Sequence, residues 1–328
     1  MDSDCEWILL AAKDSYSFGF AEKIQKYFKE EKGVEVPLRE VDIAHFENKE
    51  IRMSIQDNLR KKDVYFIHDS NKNPQEWWVE LLLLKDLLLN SSAESVTFVL
   101  PDMMYSRQDR KDKPHVPISA RALAYSISSG IRRIITMDLH APQIQGFYPP
   151  EVPLDNLYSF PVVVQHLKEF HPDYLKNLVI VSPDVGGTHR ARAFLSRLEK
   201  ENNGEQKHSF ALIDKTRLNP GIVGEMRLIG EVEGKDVLLI DDMISSGGTL
   251  VKAGELLKEK GAKRLICYGT HGLFTEGTEK LKAVYDAVMT SNSHNQTDSG
   301  IEVVDVSHFF AEAIYRAQNG LSISKLFE

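Results

Sequence analysis

Runs of four or five apolar residues without polar alternation recur along the chain, at 64–68, 96–100, 134–137, 178–181, 237–240 and 265–268. Such runs suit strands covered on both faces, as in a parallel sheet between helices, rather than strands with one wet face. Amphipathic stretches lie between them, for example 119–128 and 249–260. The order strand, helix, strand predicts an α/β fold. An internal echo adds organisation. Gly130-Ile131-Arg132-Arg133-Ile134-Ile135 leads to His140, and Gly261-Ala262-Lys263-Arg264-Leu265-Ile266 leads to His271, ten residues after the glycine in each case. Each block follows a helix that itself follows an apolar strand ending in acid, Asp102 in one case and Asp241-Asp242 in the other. Two copies fit a duplicated domain, with a boundary where Pro149, Pro150 and Pro153 interrupt regular structure. Domains of 1–150 and 151–328 are therefore expected.

Composition narrows the class. At 328 residues, with 42% apolar and 27% charged positions, the chain can bury two ordinary cores without disulfide staples. Its two cysteines, Cys5 and Cys267, fit a reducing compartment better than a disulfide framework or a metal cluster. A net charge of −8 argues against a broad nucleic-acid surface but leaves room for a local anion pocket. The acidic start MDSDCEW lacks a secretory pattern, and the apolar stretch 77–89 is cut by Glu80, Lys85 and Asp86. A buried helix and a cytoplasmic, non-membrane protein are expected. Trp77 and Trp78 in that stretch suit either a subunit interface or core packing.

The most informative segment is VLLIDDMISSGGTLVKAGELL, residues 237–257. A buried strand ends in Asp241 and Asp242. Then come Ser245, Ser246, Gly247, Gly248 and Thr249, which open a helix. Backbone N–H groups, hydroxyls and the helix dipole converge there on an anion, and glycine lets the backbone approach closely. The two carboxylates cannot bind phosphate; they suit the vicinal hydroxyls of a ribose, or water on Mg2+. Simple Ser/Thr capping of the helix is the plainer alternative, but it leaves two adjacent acids at the end of an apolar strand unexplained.

This segment resembles the phosphoribosyl pyrophosphate motif of type I phosphoribosyltransferases. Three more blocks, Tyr105-Ser106-Arg107-Gln108-Asp109-Arg110, the run from Met137 to Phe147 (MDLHAPQIQGF), and Val181-Ser182-Pro183-Asp184-Val185-Gly186-Gly187, resemble the ribose-phosphate pyrophosphokinases in order and spacing. Ordinary phosphoribosyltransferases share only the 237–249 loop. The resemblance implies two tandem phosphoribosyltransferase-like domains, each a mostly parallel sheet flanked by helices. The first would serve ATP and the second ribose 5-phosphate, with the last helix packing back on the N-terminal half. It implies transfer of the β,γ-pyrophosphoryl group of ATP to the 1-hydroxyl of ribose 5-phosphate, giving phosphoribosyl pyrophosphate and AMP. Arg107, Gln108 and Asp109 would hold ATP, and Asp241, Asp242 and residues 245–249 the sugar phosphate. His140 and Asp184 would support Mg2+; histidine is an unusual Mg2+ partner, so His140 acting on phosphate or through water is equally open.

In the family, the stretch around Asp214-Lys215-Thr216-Arg217 is a mobile loop that closes over ATP. The resemblance gives catalysis to Lys215 and Arg217, which fits a reaction driven by positioning and electrostatics. Phe46, Asn48 and Glu50 lie in a loop that in the family reaches a neighbouring subunit's adenine pocket. The resemblance therefore implies self-association, a dimer at least and by family habit a hexamer. Two departures stand out. Asn48-Lys49 replaces the usual Asp-Gly, and Ser245-Ser246 replaces the commoner Asp-Thr. A non-catalytic regulatory subunit of the same family is the rival reading, yet it would be expected to lose Lys215, Arg217, His140 or Asp184, and all four are present.

Overall fold

The computed structural model describes residues 6–201, 208–219, 222–298 and 300–327. These fall into two units, one running to Tyr158 and resuming at Ser307, the other spanning Ser159–Val306. The change of unit thus comes at Ser159, past the proline group, and the residues from Ser307 onward belong to the first unit.

In the first unit β1 (Trp7–Ala12), β2 (Leu38–His45), β3 (Ile51–Ser54), β4 (Asp63–Ile67), β5 (Ser95–Leu100), β6 (Arg133–Met137) and β7 (Leu154–Leu157) form one sheet in the order β3-β2-β1-β4-β5-β6-β7. All pairs are parallel except the β2–β3 hairpin. Helices α1 (Tyr16–Lys32), α2 (Pro74–Asn90) and α3 (Ser119–Ile127) connect parallel strands. Their sequences explain their limits. Ser15 caps α1 through its hydroxyl, accepting from the Phe18 N–H, and Gly33 ends it at φ 65. Asn73 caps α2 ahead of Pro74, a residue suited to the first helical position. Trp77, Leu81, Leu84 and Leu88 then meet the core at helical spacing.

The two tryptophans of α2 differ in burial. Trp77 is fully buried and stacks on His68, centroids 5.4 Å apart. Trp78 donates from Nε1 to the Ser126 hydroxyl (2.7 Å) and packs edge-on against Tyr105. Both are spent inside the unit.

The second unit repeats the plan with β8 (Leu178–Ser182), β9 (Ser209–Asn219), β10 (Ile222–Ile229), β11 (Asp236–Ile244), β12 (Arg264–Gly272), β13 (Ala287–Ser291) and β14 (Glu302–Val304). Its order, β10-β9-β8-β11-β12-β13-β14, matches the first place for place, with the β9–β10 hairpin antiparallel. Helices α4 (Phe160–Phe170), α5 (Thr188–Glu201), α6 (Gly248–Glu259) and the single turn α7 (Glu279–Lys282) cover it. The shared order reveals a duplication. The sequence echo is not its true alignment, however. That echo pairs β6 with β12, and these are the sixth and fifth strands of their sheets, so it is one strand out of step. Any βα unit ending in a glycine turn before a buried strand produces such a likeness.

The final helix, α8 (Ser307–Gln318), packs on α1 in the first unit. Phe310 meets Phe20 edge-on, Glu312 accepts from Tyr27 and pairs with Lys32 at 2.7 Å, and Gln318 bonds Tyr65 and Asp63.

Candidate active site

In the second sheet the connection from β8 through α5 leads outward to β9, and that from β11 through α6 leads the opposite way to β12. Strands β8 and β11 are therefore neighbours from which the chain departs in opposite directions. In open α/β sheets a crevice forms at the carboxyl ends of two such strands, and ligands bind there. Parallel register, Leu178 beside Asp236 through Val181 beside Leu239, carries both strand ends to the same edge. There the sequence has placed Asp184 on one strand exit and Asp241 and Asp242 on the other.

Strand β11 continues to Ile244, so the two acids lie within it rather than at its end as expected. The Asp242 N–H donates to Asp241 Oδ1 at 2.9 Å, drawing that carboxyl along the strand. Arg190, in the first turn of α5, then reaches both acids, 3.3 Å to Asp242 Oδ1 and 3.8 Å to Asp241 Oδ1. Burial pushes the Asp241 carboxyl well above the usual carboxylate range; the neighbouring charge of Asp242 adds to this, and Arg190 only partly offsets it. Arg190 was not singled out in the sequence. The signal was there, six residues after Asp184 at the start of an amphipathic helix.

Beside the acids, Ser245 and Ser246 are half-buried and Gly247 turns the chain at φ 79, a conformation that costs a side-chain-bearing residue dearly. A Cβ on Gly247 would also press on Leu281 at 3.0 Å. Gly248 and Thr249 open α6, whose first turn has no side-chain cap, so its N–H groups face the crevice without an intrahelical partner. The plainer capping reading for this stretch thus finds no cap.

The expected loop around Lys215 is instead a hairpin. Asp214, Lys215 and Arg217 lie in β9, and Lys215 sits opposite Met226 of β10. Register shifts on β10 at Ile222, Val223 and Met226 break the alternation that would have marked a strand, and Pro220-Gly221 reads as a turn signal with cations before it. The side chain of Arg217 lies outside the described residues. Lys215 is placed. Its Nζ pairs with Asp184 Oδ2 at 3.0 Å. Asp184 Oδ1 accepts from the Gly187 N–H at 3.0 Å, and a Cβ on Gly187 would collide with Ser182 Oγ at 2.8 Å. Burial works against a charge on Asp184, but the hydrogen bond and charge of Lys215 with the Gly187 N–H outweigh it and hold the carboxyl below its ordinary value.

In the first unit Arg107, Gln108 and Asp109 follow β5, and His140 follows the adjacent β6. Gln108 Oε1 accepts from the Ser119 hydroxyl at 2.5 Å, and its carbonyl accepts from the Ala120 N–H, tying the segment to the start of α3. Asp109 Oδ2 accepts from Gln143 Nε2 at 2.6 Å, linking the β5 and β6 exits. Arg107 and His140 are exposed. Tyr105 at φ 60 and Asp138 at φ 42 hold left-handed backbone on either side, a strain that gathers at functional sites.

Phe46, Asn48 and Glu50 are not brought to these residues by their own sheet. They form the β2–β3 turn, three strand spacings from β5, roughly 14 Å at about 4.8 Å per strand. Phe46 is 54% exposed. Lys49 adopts φ 72, so it takes the left-handed place of a glycine, and Asn48 Oδ1 supports the turn by accepting from the Glu50 N–H.

Residues 10–129 match the N-terminal domain of ribose phosphate pyrophosphokinase, and residues 154–308 match the phosphoribosyl transferase domain. A ribose-phosphate pyrophosphokinase of Brucella melitensis is 38% identical over 317 residues, covering 94% of this chain and 96% of that protein. One of Wolinella succinogenes is 39% identical over 297 residues, 89% of this chain and 92% of that protein. The crystal structure of phosphoribosylpyrophosphate synthetase from Mycobacterium smegmatis superposes with a TM-score of 0.83 at 29% identity, over 96% of this chain and 99% of that one. With the doubled sheet order and the paired acids at a strand switch point, these likenesses make the chain a member of the ribose-phosphate pyrophosphokinase family.

Proposed function

We infer that this chain moves the β,γ-pyrophosphoryl group of ATP onto the 1-hydroxyl of ribose 5-phosphate, releasing AMP. The observation that carries the reading is the crevice between β8 and β11, where Asp184 with Lys215 faces Asp241 and Asp242 beside the open N-terminus of α6. Phosphate would rest on the amides and hydroxyls of Ser245 to Thr249, and Asp241 and Asp242 would accept from the ribose hydroxyls. Arg190 would keep the two acids aligned. Arg107 would grip phosphate oxygens as a forked donor, with Gln108 and Asp109, fixed by Ser119 and Gln143, shaping the nucleotide side. Lys215 must leave Asp184 to meet the transferred group, so its charge arrives with ATP and serves the transition state more than the resting complex. Arg217 of the same hairpin would add a second cation.

Mg2+ is the metal proposed. The ionised, partly exposed Asp184 carboxylate fits its preference for oxygen, whereas His140 fits better through water or phosphate. Bound there, the ion would neutralise charge on the phosphates. Asp184 would hold it only once Lys215 has moved away.

The proposal extends to self-association. The distance of Phe46 from Arg107 within one sheet, and its exposure, support a loop that serves a second copy. Outward-facing Val79, Leu83 and Leu89 on α2 and Tyr125 on α3 offer apolar surface for such contact. Cytoplasmic location is proposed with it; among the described residues no helix is long and apolar enough to cross a membrane. A regulatory subunit without catalysis is not favoured, because Lys215 and Asp184 are both in place. With ATP, ribose 5-phosphate and Mg2+, AMP and phosphoribosyl pyrophosphate should appear in equal amounts. Formation of ADP, or no turnover at saturating substrate, overturns the assignment.

A further inference from the structure

A second cluster of chemistry-bearing side chains lies in the second unit, away from the crevice. His166 sits on α4, His171 caps that helix, and Glu302 begins the edge strand β14. Five residues apart on a continuing helix, two side chains would diverge by about 140°. His171 leaves the helix at φ −132, ψ 45, and its ring comes round to the same carboxylate as that of His166. His166 Nε2 lies 2.6 Å from Glu302 Oε1, and His171 Nε2 lies 2.9 and 2.8 Å from the two Glu302 oxygens. The three groups are half-buried, and their ligating atoms lie within 4.8 Å of one another. Phe170 packs on the His166 ring at 4.6 Å and Tyr174 meets the His171 ring edge-on at 5.6 Å, which limits ring rotation.

We propose that His166, His171 and Glu302 form a binding site for a transition-metal dication of the Zn2+ class. Two imidazole nitrogens and one carboxylate, with water in the fourth position, are a common three-protein-ligand set for Zn2+. Tetrahedral bonds of about 2.0–2.1 Å place ligand atoms about 3.3 Å apart, so the nitrogen–oxygen pairs at 2.6 to 2.9 Å must open by several tenths of an ångström while three donors already within 4.8 Å of one another draw round the ion. As plain hydrogen bonds the arrangement spends both rings on one carboxylate. It also demands that both rings carry their proton on Nε2. Nitrogen donors select against Mg2+, which prefers an octahedron of oxygens from water, carboxylate and phosphate to imidazole, so the site is independent of the reaction's metal. Position agrees. Glu302 starts β14, three strands from β11 and roughly 14 Å across the sheet at about 4.8 Å per strand, so it stands apart from the crevice acids although the register sets it level with Ile240. An ion there would clip the end of α4 to a three-residue edge strand.

Chelator-stripped protein titrated calorimetrically with Zn2+, in millimolar Mg2+, should take up one Zn2+ per chain at this site. His166→Gln and Glu302→Gln should each weaken it by at least about 100-fold, beyond the loss caused by removing an outer-shell partner. Asp184→Asn should leave it intact. Co2+ should give visible d–d absorption that Glu302→Gln abolishes. Both glutamine variants keep nearly the original shape, and their circular dichroism and Mg2+-dependent AMP release should match the parent. Absence of Zn2+ uptake overturns the proposal, as does binding unchanged in both glutamine variants, or binding lost in Asp184→Asn.

Discussion

Among single side chains, the pairing of Lys215 with Asp184 sets what each is expected to do. A cation parked on a carboxylate contributes little to substrate binding if it must move before it acts. Lys215→Ala should therefore lower kcat by about 10²–10³-fold, the usual loss on removing one preorganised transition-state donor, while the KM for ATP shifts far less. Near-normal kcat with a raised KM would show a docking contact instead. Asp241 behaves differently. Its carboxyl is raised by burial and by Asp242, so between the unfolded and folded pKa the folded state holds a proton that the unfolded chain has released. Stability from this group is full at low pH and falls as pH rises through its folded pKa. Asp241→Asn should then raise the Tm of the unliganded protein at neutral pH. Its KM for ribose 5-phosphate should rise about 10–100-fold, the worth of a charged hydrogen bond of roughly 1.5–3 kcal/mol. A calorimetric scan showing a lower Tm would contradict the first part. The paired acids, the serines and the glycine turn were legible because each residue type announces its chemistry in order along the chain. Arg190 was not, because an arginine in an amphipathic helix reads as solvated until a fold turns it toward two acids. The backbone of Lys49 was also hidden, since only structure reveals a non-glycine residue in a left-handed turn.

Helix α2 shows how much an element depends on a few buried groups. Trp77 fills the core, and beneath it His68 Nε2 meets the Trp77 carbonyl at 3.0 Å while buried Glu80 takes a 2.6 Å bond from Lys72. Trp77→Ala should cost about 3–5 kcal/mol and lower the urea midpoint, with a much smaller loss for half-buried Trp78. Burial pushes His68 down to about 4, partly opposed by its bond to the Trp77 carbonyl. The unfolded chain binds that proton near pH 6.5. Stability from the neutral ring is therefore full above that value and falls by roughly 1.4 kcal/mol per unit toward pH 4. Glu80 is raised by burial, so the folded state takes its proton first and softens the loss. Glu80→Gln should steepen the acid fall of the urea midpoint, and His68→Asn should flatten it. All three tryptophans, Trp7, Trp77 and Trp78, lie in the first unit, so fluorescence follows that unit alone. Parallel core strands were readable as unbroken apolar runs, since burial on both faces removes alternation. The β9–β10 hairpin was not, because its register shifts and its cations mimic an irregular loop. The echo of glycine turns marked duplication correctly but one strand out of step, since βα repeats resemble their neighbours as well as their counterparts.

For the whole molecule, the position of Phe46 far from Arg107 on its own sheet leads to a test by mixing. Phe46→Ala and Lys215→Ala chains, each impaired alone, should regain part of their activity when subunits exchange, because some hybrid sites escape both lesions. Proven exchange without recovery would mean that each site is built from one chain. A chain ended after Val306 should lose the cooperative tryptophan transition while the segment from Ser159 resists protease, since α8 covers α1 and bonds Asp63 and Tyr65. That return of the chain bears on the order of events during synthesis. The second unit is one continuous stretch, Ser159–Val306, and it is complete as soon as it clears the ribosome. The first begins earlier yet waits for α8, which emerges after the second unit. The half made first is thus finished last, and until Phe310 reaches Phe20 the apolar face of α1 stays open to chaperones and to misassembly with other nascent chains.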